Sequence, residues 1–267
     1  MMRSLRIAWI LVCCSVVGLV VACALFPGLF TSADPIRGLV ADRLRPPSSA
    51  HLLGTDELGR DVLSRVVHGA SLSLQAAVIA VTVAVVAGST VGLVAGTGSR
   101  SIDDFLMRVV EVMLSIPSFL LVLAIVLALG FGTIHVAVAV GISASASSAR
   151  IIRSEAVRVR TSGYVEAARA CGTRWPVTIV RHILPNSLTP VAALASVEFG
   201  NAVLAVAALS FLGFGATPPT PEWGAMIAGG QDYLDSAWWL TACPGLVLTV
   251  VVLAANQLAA ILRHGAR

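Results

Sequence analysis

Long apolar runs alternate with short polar segments along this chain. Each run is long enough to cross a hydrocarbon core of about 30 Å as a helix that rises about 1.5 Å per residue. Most of the polar segments contain proline or glycine, which favour turns. The pattern therefore predicts an all-α polytopic membrane protein with six transmembrane helices, at about residues 7–30, 72–95, 109–129, 134–152, 188–211 and 240–262.

The composition excludes an ordinary soluble domain, since 57% of the residues are hydrophobic, 12% are charged and the mean hydropathy is +0.90. The net charge of +4 comes from arginine alone, because the sequence contains no lysine. A phosphate-binding loop of the Gly-x-x-x-x-Gly-Lys-Ser/Thr type needs that lysine, so any ATP that drives this protein must be bound by a separate polypeptide. The five cysteines show no Cys-x-x-Cys spacing and are predicted to be small buried hydrophobic residues.

The arginines indicate the orientation in the membrane. With both termini in the cytosol, 13 of the 18 arginines lie on the cytosolic side, and the other five lie in the long first exterior loop. Trp238 and Trp239 suit the membrane boundary at the start of the last span. The residues that flank the first and last spans on the cytosolic side are Arg3, Arg6, Arg263, His264 and Arg267.

The most basic cytosolic segment is predicted to form two short helices. The first begins at Ser162 or Gly163 and ends at Gly172, which supplies either a positive φ or a close backbone approach. The second begins near Pro176, whose fixed φ suits a first helical turn, and is stopped by Pro185. Two plainer interpretations are a solvated basic loop and a helix-turn-helix that contacts DNA, although the flanking apolar runs would hold the latter at a membrane.

This loop carries a family resemblance. Its motif resembles the EAA loop of ABC importer permeases, and the run from His182 to Asn186 resembles the peptide-importer branch of that family. The resemblance implies a type I ABC importer permease fold with a cytosolic coupling helix that seats in a groove of the ATPase subunit. The residues implied in ATPase coupling are Glu166, Ala167, Ala168, Gly172, Ile183, Leu184 and Pro185.

Two other stretches, residues 51–65 and 209–223, resemble the C subunit of dipeptide and oligopeptide importers. The family commonly has an acidic residue where this chain has Val206. The resemblance implies an N-terminal helix with an exterior loop at residues 1–70 and a permease domain at 71–264, with the EAA loop at 153–187. No metal site is predicted in the exterior stretch, because His51 is the only histidine near its carboxylates.

The same resemblance implies the partners and the location. It implies a multi-pass subunit of a prokaryotic cytoplasmic (inner) membrane, paired in the lipid bilayer with a second homologous permease. One or two cytosolic ATPases would bind ATP and magnesium, an exterior protein would deliver the substrate, and this chain would bind no cofactor or nucleic acid and catalyse no reaction. The implied cargo is a peptide, with nickel complexes, glutathione and haem as alternatives on the same scaffold.

Polar residues inside the predicted spans indicate where a passage could lie. Glu198 and Asn201 fall in the fifth span, and a carboxylate at this depth should face the bundle interior or a translocation path. The serine-alanine tract 143–148 can pack against another helix or line a passage, and packing is favoured. Gly88, Gly92 and Gly96 repeat every four residues, which predicts a close helix contact in the second span.

Two alternative interpretations remain, one of the function and one of the first apolar run. Ser143, in the sequence Gly-Ile-Ser-Ala, loosely follows an intramembrane serine protease pattern, but the nearby His135 lies eight residues away on the same predicted helix. Two turns along one helix do not bring an imidazole within hydrogen-bonding range of that hydroxyl. A cleaved lipoprotein signal ending at Cys23 is the second alternative, although the apolar run continues past that residue.

Overall fold

The computed structural model describes residues 2–187 and 191–265, with side chains at all of these except 2–8, 192–193 and 262–265. Every regular element in this part is helical, which confirms the predicted all-α class. Two predictions fall outside the described part of the chain. One is the start of the fifth span, and the other concerns the side chains of the flanking residues Arg3, Arg6, Arg263, His264 and Arg267. The helices are α1 (Met2–Leu25), α2 (Val62–Thr97), α3 (Arg100–Ser115), α4 (Ser118–Leu129), α5 (Thr133–Arg160), α6 (Gly163–Ala170), α7 (Trp175–Thr178), α8 (Leu184–Ser187), α9 (Val191–Phe211), α10 (Trp223–Gly229) and α11 (Trp239–Gly265).

The centre of the fold is the packing of α2 against α5. A Cβ atom added at Gly88, Gly92 or Gly96 would lie 2.4–2.7 Å from an atom of α5, so the three glycines let the two helices approach closely. Gly141 of α5 makes the reciprocal contact, 2.6 Å from the Ala80 carbonyl oxygen of α2. The predicted close contact of the second span is therefore confirmed, and its partner is α5.

The remaining long helices pack around this pair. α9 and α11 contribute buried aliphatic residues to one apolar cluster with α2 and α5, and partly buried residues of α1 pack against it. Val206, which stands where the family commonly has an acid, is 2% exposed within this cluster. An aliphatic side chain suits that site, because a buried carboxylate there would need a partner.

The predicted third span, at 109–129, is not one straight helix. α3 and α4 meet at an angle of 100°, because Ile116 is extended (φ −84°, ψ 131°) and precedes Pro117. The kink was predicted at Pro117, but its size was not. Arg153 of α5 holds α3 in place through a bidentate ion pair with Asp103, at nitrogen–oxygen distances of 2.5 and 2.6 Å.

The number of spans agrees only in part with the prediction of six. Among the described residues, four helices are long and apolar enough to cross a membrane, and the bent pair of α3 and α4 would make five. The apolar part of α1 at Trp9–Leu25 is shorter than these spans. The predicted domain boundary between residues 70 and 71 falls within α2, and that division stays a prediction.

All five cysteines are free thiols. Cys13 is buried as predicted, but Cys14 and Cys171 are exposed, so the prediction of burial was wrong for these two. Cys171 ends the exposed helix α6, and Cys14 follows Cys13 on α1, where successive residues point in different directions.

The topology can be tested with single cysteines in a cysteine-free background. Thr161 and Thr220 are both exposed, and they lie in loops predicted to face opposite sides of the membrane. A membrane-impermeant maleimide should label Thr220→Cys in intact cells, and should label Thr161→Cys only after the membrane is opened. Labelling of both from the same side would contradict the predicted arrangement.

Candidate functional site

The first helix of the loop predicted to be cytosolic, α6, begins where the sequence predicts. Ser162 is extended (φ −78°, ψ 145°) and its carbonyl oxygen accepts hydrogen bonds from the backbone N–H groups of Val165 and Glu166. Its hydroxyl does not cap the helix, because it donates to the carbonyl oxygen of Val159 at 2.6 Å. The start of α6 is therefore fixed by backbone geometry and by a hydrogen bond back to α5.

Gly172 ends this helix as predicted. Its φ is +83°, and a Cβ atom built on it would meet nothing within 4 Å. Its N–H donates to the carbonyl oxygen of Arg169, and the N–H of Thr173 donates to the carbonyl oxygen of Ala168. These are the two hydrogen bonds of a Schellman motif. The requirement at this position is therefore positive φ, and among the described residues no backbone atom approaches Gly172 closely.

The second helical stretch begins at α7 and runs on to α8, so the prediction that Pro185 stops it is wrong. A π-helical turn, Ile179–Ile183, joins the two, and the Leu184 N–H donates to the Ile179 carbonyl oxygen five residues earlier. The wider turn accommodates a proline that lacks an N–H. The Asn186 side-chain amide also donates to the His182 carbonyl oxygen at 2.7 Å, which supports the chain just after the proline.

One face of the loop is anchored to α5. Val165 and Ile183 are fully buried against Ala156 and Val159 near the end of α5. Beside them, the Trp175 ring lies 5.4 Å from the guanidinium carbon of Arg160 and 5.0 Å from that of Arg169. These cation–π contacts link α5, α6 and α7. Ile183 is thus a structural residue of the predicted motif.

The opposite face of the loop is exposed. Of the predicted coupling residues, Glu166, Ala167, Gly172 and Pro185 are exposed, and Ala168 and Leu184 are half-buried. The sequence analysis did not identify three exposed side chains beside them. Tyr164 is 50% exposed to solvent, Val177 is 47% exposed and Val180 is 64% exposed. The sequence contains evidence for an exposed apolar surface here, because the aliphatic residues from Val177 to Ile183 lie on more faces of a helix than a single buried stripe needs.

A cavity of about 450 Å³ opens between α2, α4, α5 and α9. Glu198 and Asn201, the two polar residues singled out in the predicted fifth span, both line it. The other wall-forming residues are mainly aliphatic, among them Ala80, Ala84, Val122, Val140, Ala202 and Ala205. The two predicted polar residues therefore lie together at one apolar cavity.

The serine-alanine tract of α5, residues 143–148, both packs against another helix and lines the cavity. Ser145 and Ser148 lie against Gly88 of α2, whereas Ser143 and Ser147 line the cavity. The protease interpretation has no geometric support. His135 is eight residues from Ser143 on the same helix, about 12 Å along it, and its Nδ1 lies 3.0 Å from the Phe131 carbonyl oxygen.

The segments that the sequence predicts to be exterior pack together as a cover over one end of the bundle. Asp56 pairs with Arg60 at 2.6 Å and with Arg65 at 3.5 Å, and all three side chains are nearly buried. The Trp239 indole N–H donates to the Thr55 carbonyl oxygen at 3.1 Å, which ties the first exterior loop to α11. Most of the stretch 51–65 is thus a compact loop ahead of α2.

Glu222 begins α10 within this cover. Its carboxylate accepts hydrogen bonds from the N–H groups of Gly224 (3.0 Å) and Ala225 (2.9 Å), and from the hydroxyl of Ser73 on α2 (3.3 Å). Burial raises the pKa of Glu222 above its ordinary value, and the backbone hydrogen bonds oppose that shift. The result is a capped helix held against α2.

Comparison with known proteins gives matches over most of the chain. The model of the family described as binding-protein-dependent transport system inner membrane component matches residues 88–267. A dipeptide transport system permease protein of Alkalihalophilus pseudofirmus is 40% identical over 235 residues, which cover 88% of this chain and 77% of the relative. A glutathione transport system permease protein of Pectobacterium atrosepticum is 37% identical over 218 residues, 81% of this chain and 72% of the relative.

A likeness in fold extends to solved structures. An inward-facing structure of the MetNI methionine ABC transporter superposes with a TM-score of 0.61 at 16% identity, covering 76% of this chain and 96% of the matched chain. At this identity the comparison concerns the fold alone. The helical fold of this chain is therefore similar to that structure over about three quarters of its length.

Proposed function

The chain belongs to the family of binding-protein-dependent transport system inner membrane components, and we propose that it forms half of a pathway that carries peptides across the cytoplasmic membrane. One observation supports this best. α5 is a single helix that lines the cavity with Ser143 and Ser147 and, at its other end, packs against α6 through Ala156 and Val159. A displacement of α6 would therefore be transmitted directly to the cavity wall.

The energy source in this proposal is a separate ATPase subunit that binds ATP and magnesium. The sequence has no lysine for a phosphate-binding loop, and the exposed side of α6 and α7 offers an apolar surface beside Glu166. Exposed apolar residues that adjoin charged ones suit a protein–protein contact. In this proposal ATP binding moves the docked loop, and the bundle alternates between inward-facing and outward-facing states.

The cavity implies a second permease subunit. Its walls come from one chain only, and a passage across the membrane needs a further wall, which a homologous subunit would supply. The exterior cover around Asp56 and Glu222 then offers a rigid surface to a protein that delivers the substrate. In this proposal both termini lie in the cytosol of a prokaryotic cell.

Peptides are the favoured cargo because the relatives described above are named for dipeptide and glutathione transport, and glutathione is itself a tripeptide. The aliphatic lining of the cavity fits small uncharged side chains. Nickel complexes and haem have no such support. Among the described residues there is no group of three or more His, Cys, Asp or Glu side chains that could hold a metal ion.

The proposal is tested by uptake in a strain without other peptide importers. The complete importer, with this chain and its genomic neighbours, should accumulate radiolabelled alanyl-alanine, and deletion of this chain alone should abolish accumulation. Glutathione, a nickel chelate and haem are assayed in parallel. Uptake of one of these without uptake of either peptide would contradict the proposed cargo. ATP hydrolysis by the purified chain alone would contradict the assignment of ATPase activity to a partner.

A further inference from the structure

The strongest unassigned feature of the fold is the carboxylate of Glu198 inside the membrane cavity. α9 places it about 10 Å from the first residue of the helix and about 20 Å from the last, well within the apolar part of the bundle. Among the described residues that line the cavity, it is the one charged side chain. A carboxylate at such a depth is costly unless a cation or a donor meets it.

The polar atoms around Glu198 present acceptors to the cavity. An ionised carboxylate at Glu198 only accepts hydrogen bonds, and Asn201, three residues later on α9, also lines the cavity and has a side-chain carbonyl oxygen that can accept. The Ser147 hydroxyl donates to the Ala144 carbonyl oxygen at 2.8 Å, which leaves its oxygen lone pairs as acceptors. The site therefore complements a ligand that donates several hydrogen bonds and carries a positive charge.

A metal ion is a poor match for this site. The polar side chains that line the cavity are one carboxylate, one amide and the three hydroxyls of Ser118, Ser143 and Ser147, and the described residues contain no group of three or more His, Cys, Asp or Glu that could hold a metal ion. Calcium takes six to eight oxygen ligands, and magnesium prefers an octahedral shell. An ammonium group has three donors and needs no fixed coordination shell, so it fits the same atoms better.

From this geometry we propose that Glu198, with Asn201 and Ser147, forms a subsite that binds the N-terminal ammonium group of the peptide as it passes through the cavity. This inference rests on the proposed function, because it assigns the end of the cargo that this subunit recognises. The aliphatic lining at Ala84 and Ala202 takes the first side chain of the peptide. The subsite makes a free amino terminus a requirement for transport.

The test uses the complete importer in membrane vesicles with saturating binding protein. Glu198→Gln keeps the shape of the side chain but removes its charge. It should lower the maximal uptake rate of alanyl-alanine about tenfold, since a charge-assisted hydrogen bond is lost, while leaving KM for the loaded binding protein unchanged. Glu198→Asp should restore part of the rate. Glu111→Gln, which removes an exposed carboxylate from α3, is the matched control and should have no effect.

A second measurement separates recognition of the cargo from a structural role. Saturation-transfer NMR on the purified permease–ATPase complex, without binding protein, should detect alanyl-alanine with the native chain and with Glu111→Gln. The NMR signal of alanyl-alanine should be lost with the Glu198→Gln variant. N-acetyl-alanyl-alanine should give no NMR signal with the native chain or with either variant.

The outcomes separate the two proposals. Native uptake rates in Glu198→Gln would overturn the subsite and leave the importer function standing. Equal NMR signals from the free and acetylated peptides would also overturn it, and so would a loss of uptake in Glu198→Gln with an unchanged NMR signal, which points to an ion pair with the second permease. Absence of peptide uptake by the native importer would instead overturn the proposed function.

Discussion

Substitution of Gly172 by valine should uncouple ATP hydrolysis from transport and lower peptide uptake about tenfold. Gly172 has a φ of +83°, a region that β-branched residues rarely adopt. Holding an ordinary L-residue there costs about 1–2 kcal/mol, which corresponds to a loss of roughly five- to thirtyfold in the population of the turn. The turn sets the direction of α7 relative to α6, so its loss displaces the exposed residues on both helices.

The effect should be local to the cytosolic loop. A Cβ atom added at residue 172 meets no described atom within 4 Å, and the buried contacts of Val165 and Ile183 with α5 lie elsewhere. The variant should therefore reach the membrane in normal amounts. Uptake of labelled dipeptide and substrate-stimulated ATP hydrolysis, both normalised to membrane abundance, are the measurements.

Gly172→Asn is the matched control, because asparagine adopts the left-handed conformation more readily than other non-glycine residues. It should retain most of the uptake. An equal loss in the asparagine and valine variants would show that the ATPase needs an empty position at residue 172, and the argument from backbone conformation would then be wrong. Normal uptake in Gly172→Val would mean that the loop does not transmit the motion.

The turn at Gly172 could be predicted from sequence because its determinants are local. A glycine after an alanine-rich helix supplies the positive φ, and the two hydrogen bonds that close the motif join residues within five positions of each other. The same local reasoning failed at Pro185. The outcome there depends on a π turn several residues earlier and on the side chain of Asn186, neither of which a proline rule contains.

The bend between α3 and α4 shows a different limit. Pro117 predicts a break, but the angle of 100° depends on where α3 is held, and Arg153, fifty residues away in sequence, holds it through Asp103. Helical periodicity contains no information on such long-range pairs. The serine tract has the same difficulty, since its two faces can be assigned only when the positions of α2 and α9 are known.

The candidate site was predicted in part. The depth of Glu198 in an apolar run predicted a residue of the bundle interior or of a translocation path, and in the structure its side chain lines the cavity. Family resemblance located the coupling loop but did not separate Ile183, which is buried, from Glu166, which is exposed. That separation follows from the orientation of α6 on α5, which is set by packing at Val165.

Substitution of Gly92 should have the largest effect on stability. A Cβ atom there would lie 2.6 Å from the Ala149 carbonyl oxygen and 2.9 Å from both the Arg153 backbone nitrogen and the Ile152 Cβ atom. Two of these are backbone atoms of α5 and cannot rotate away, so the two helices must separate. Gly92→Leu should cost at least about 1–3 kcal/mol from overpacking and should strongly reduce the amount of folded protein in the membrane.

Alanine at the same position gives a sharper test, because helix propensity predicts that Gly92→Ala increases stability whereas packing predicts that it decreases stability. Alanine is about 0.8–1.0 kcal/mol more favourable than glycine in a helix interior, so Gly→Ala usually stabilises an exposed helix. Gly18 on α1 provides the matched control, since an added Cβ atom meets nothing within 4 Å. Gly18→Ala should leave the melting temperature in detergent unchanged or raise it, whereas Gly92→Ala should lower it. A melting temperature that rises equally in both variants would show that α2 and α5 do not need their close contact at Gly92.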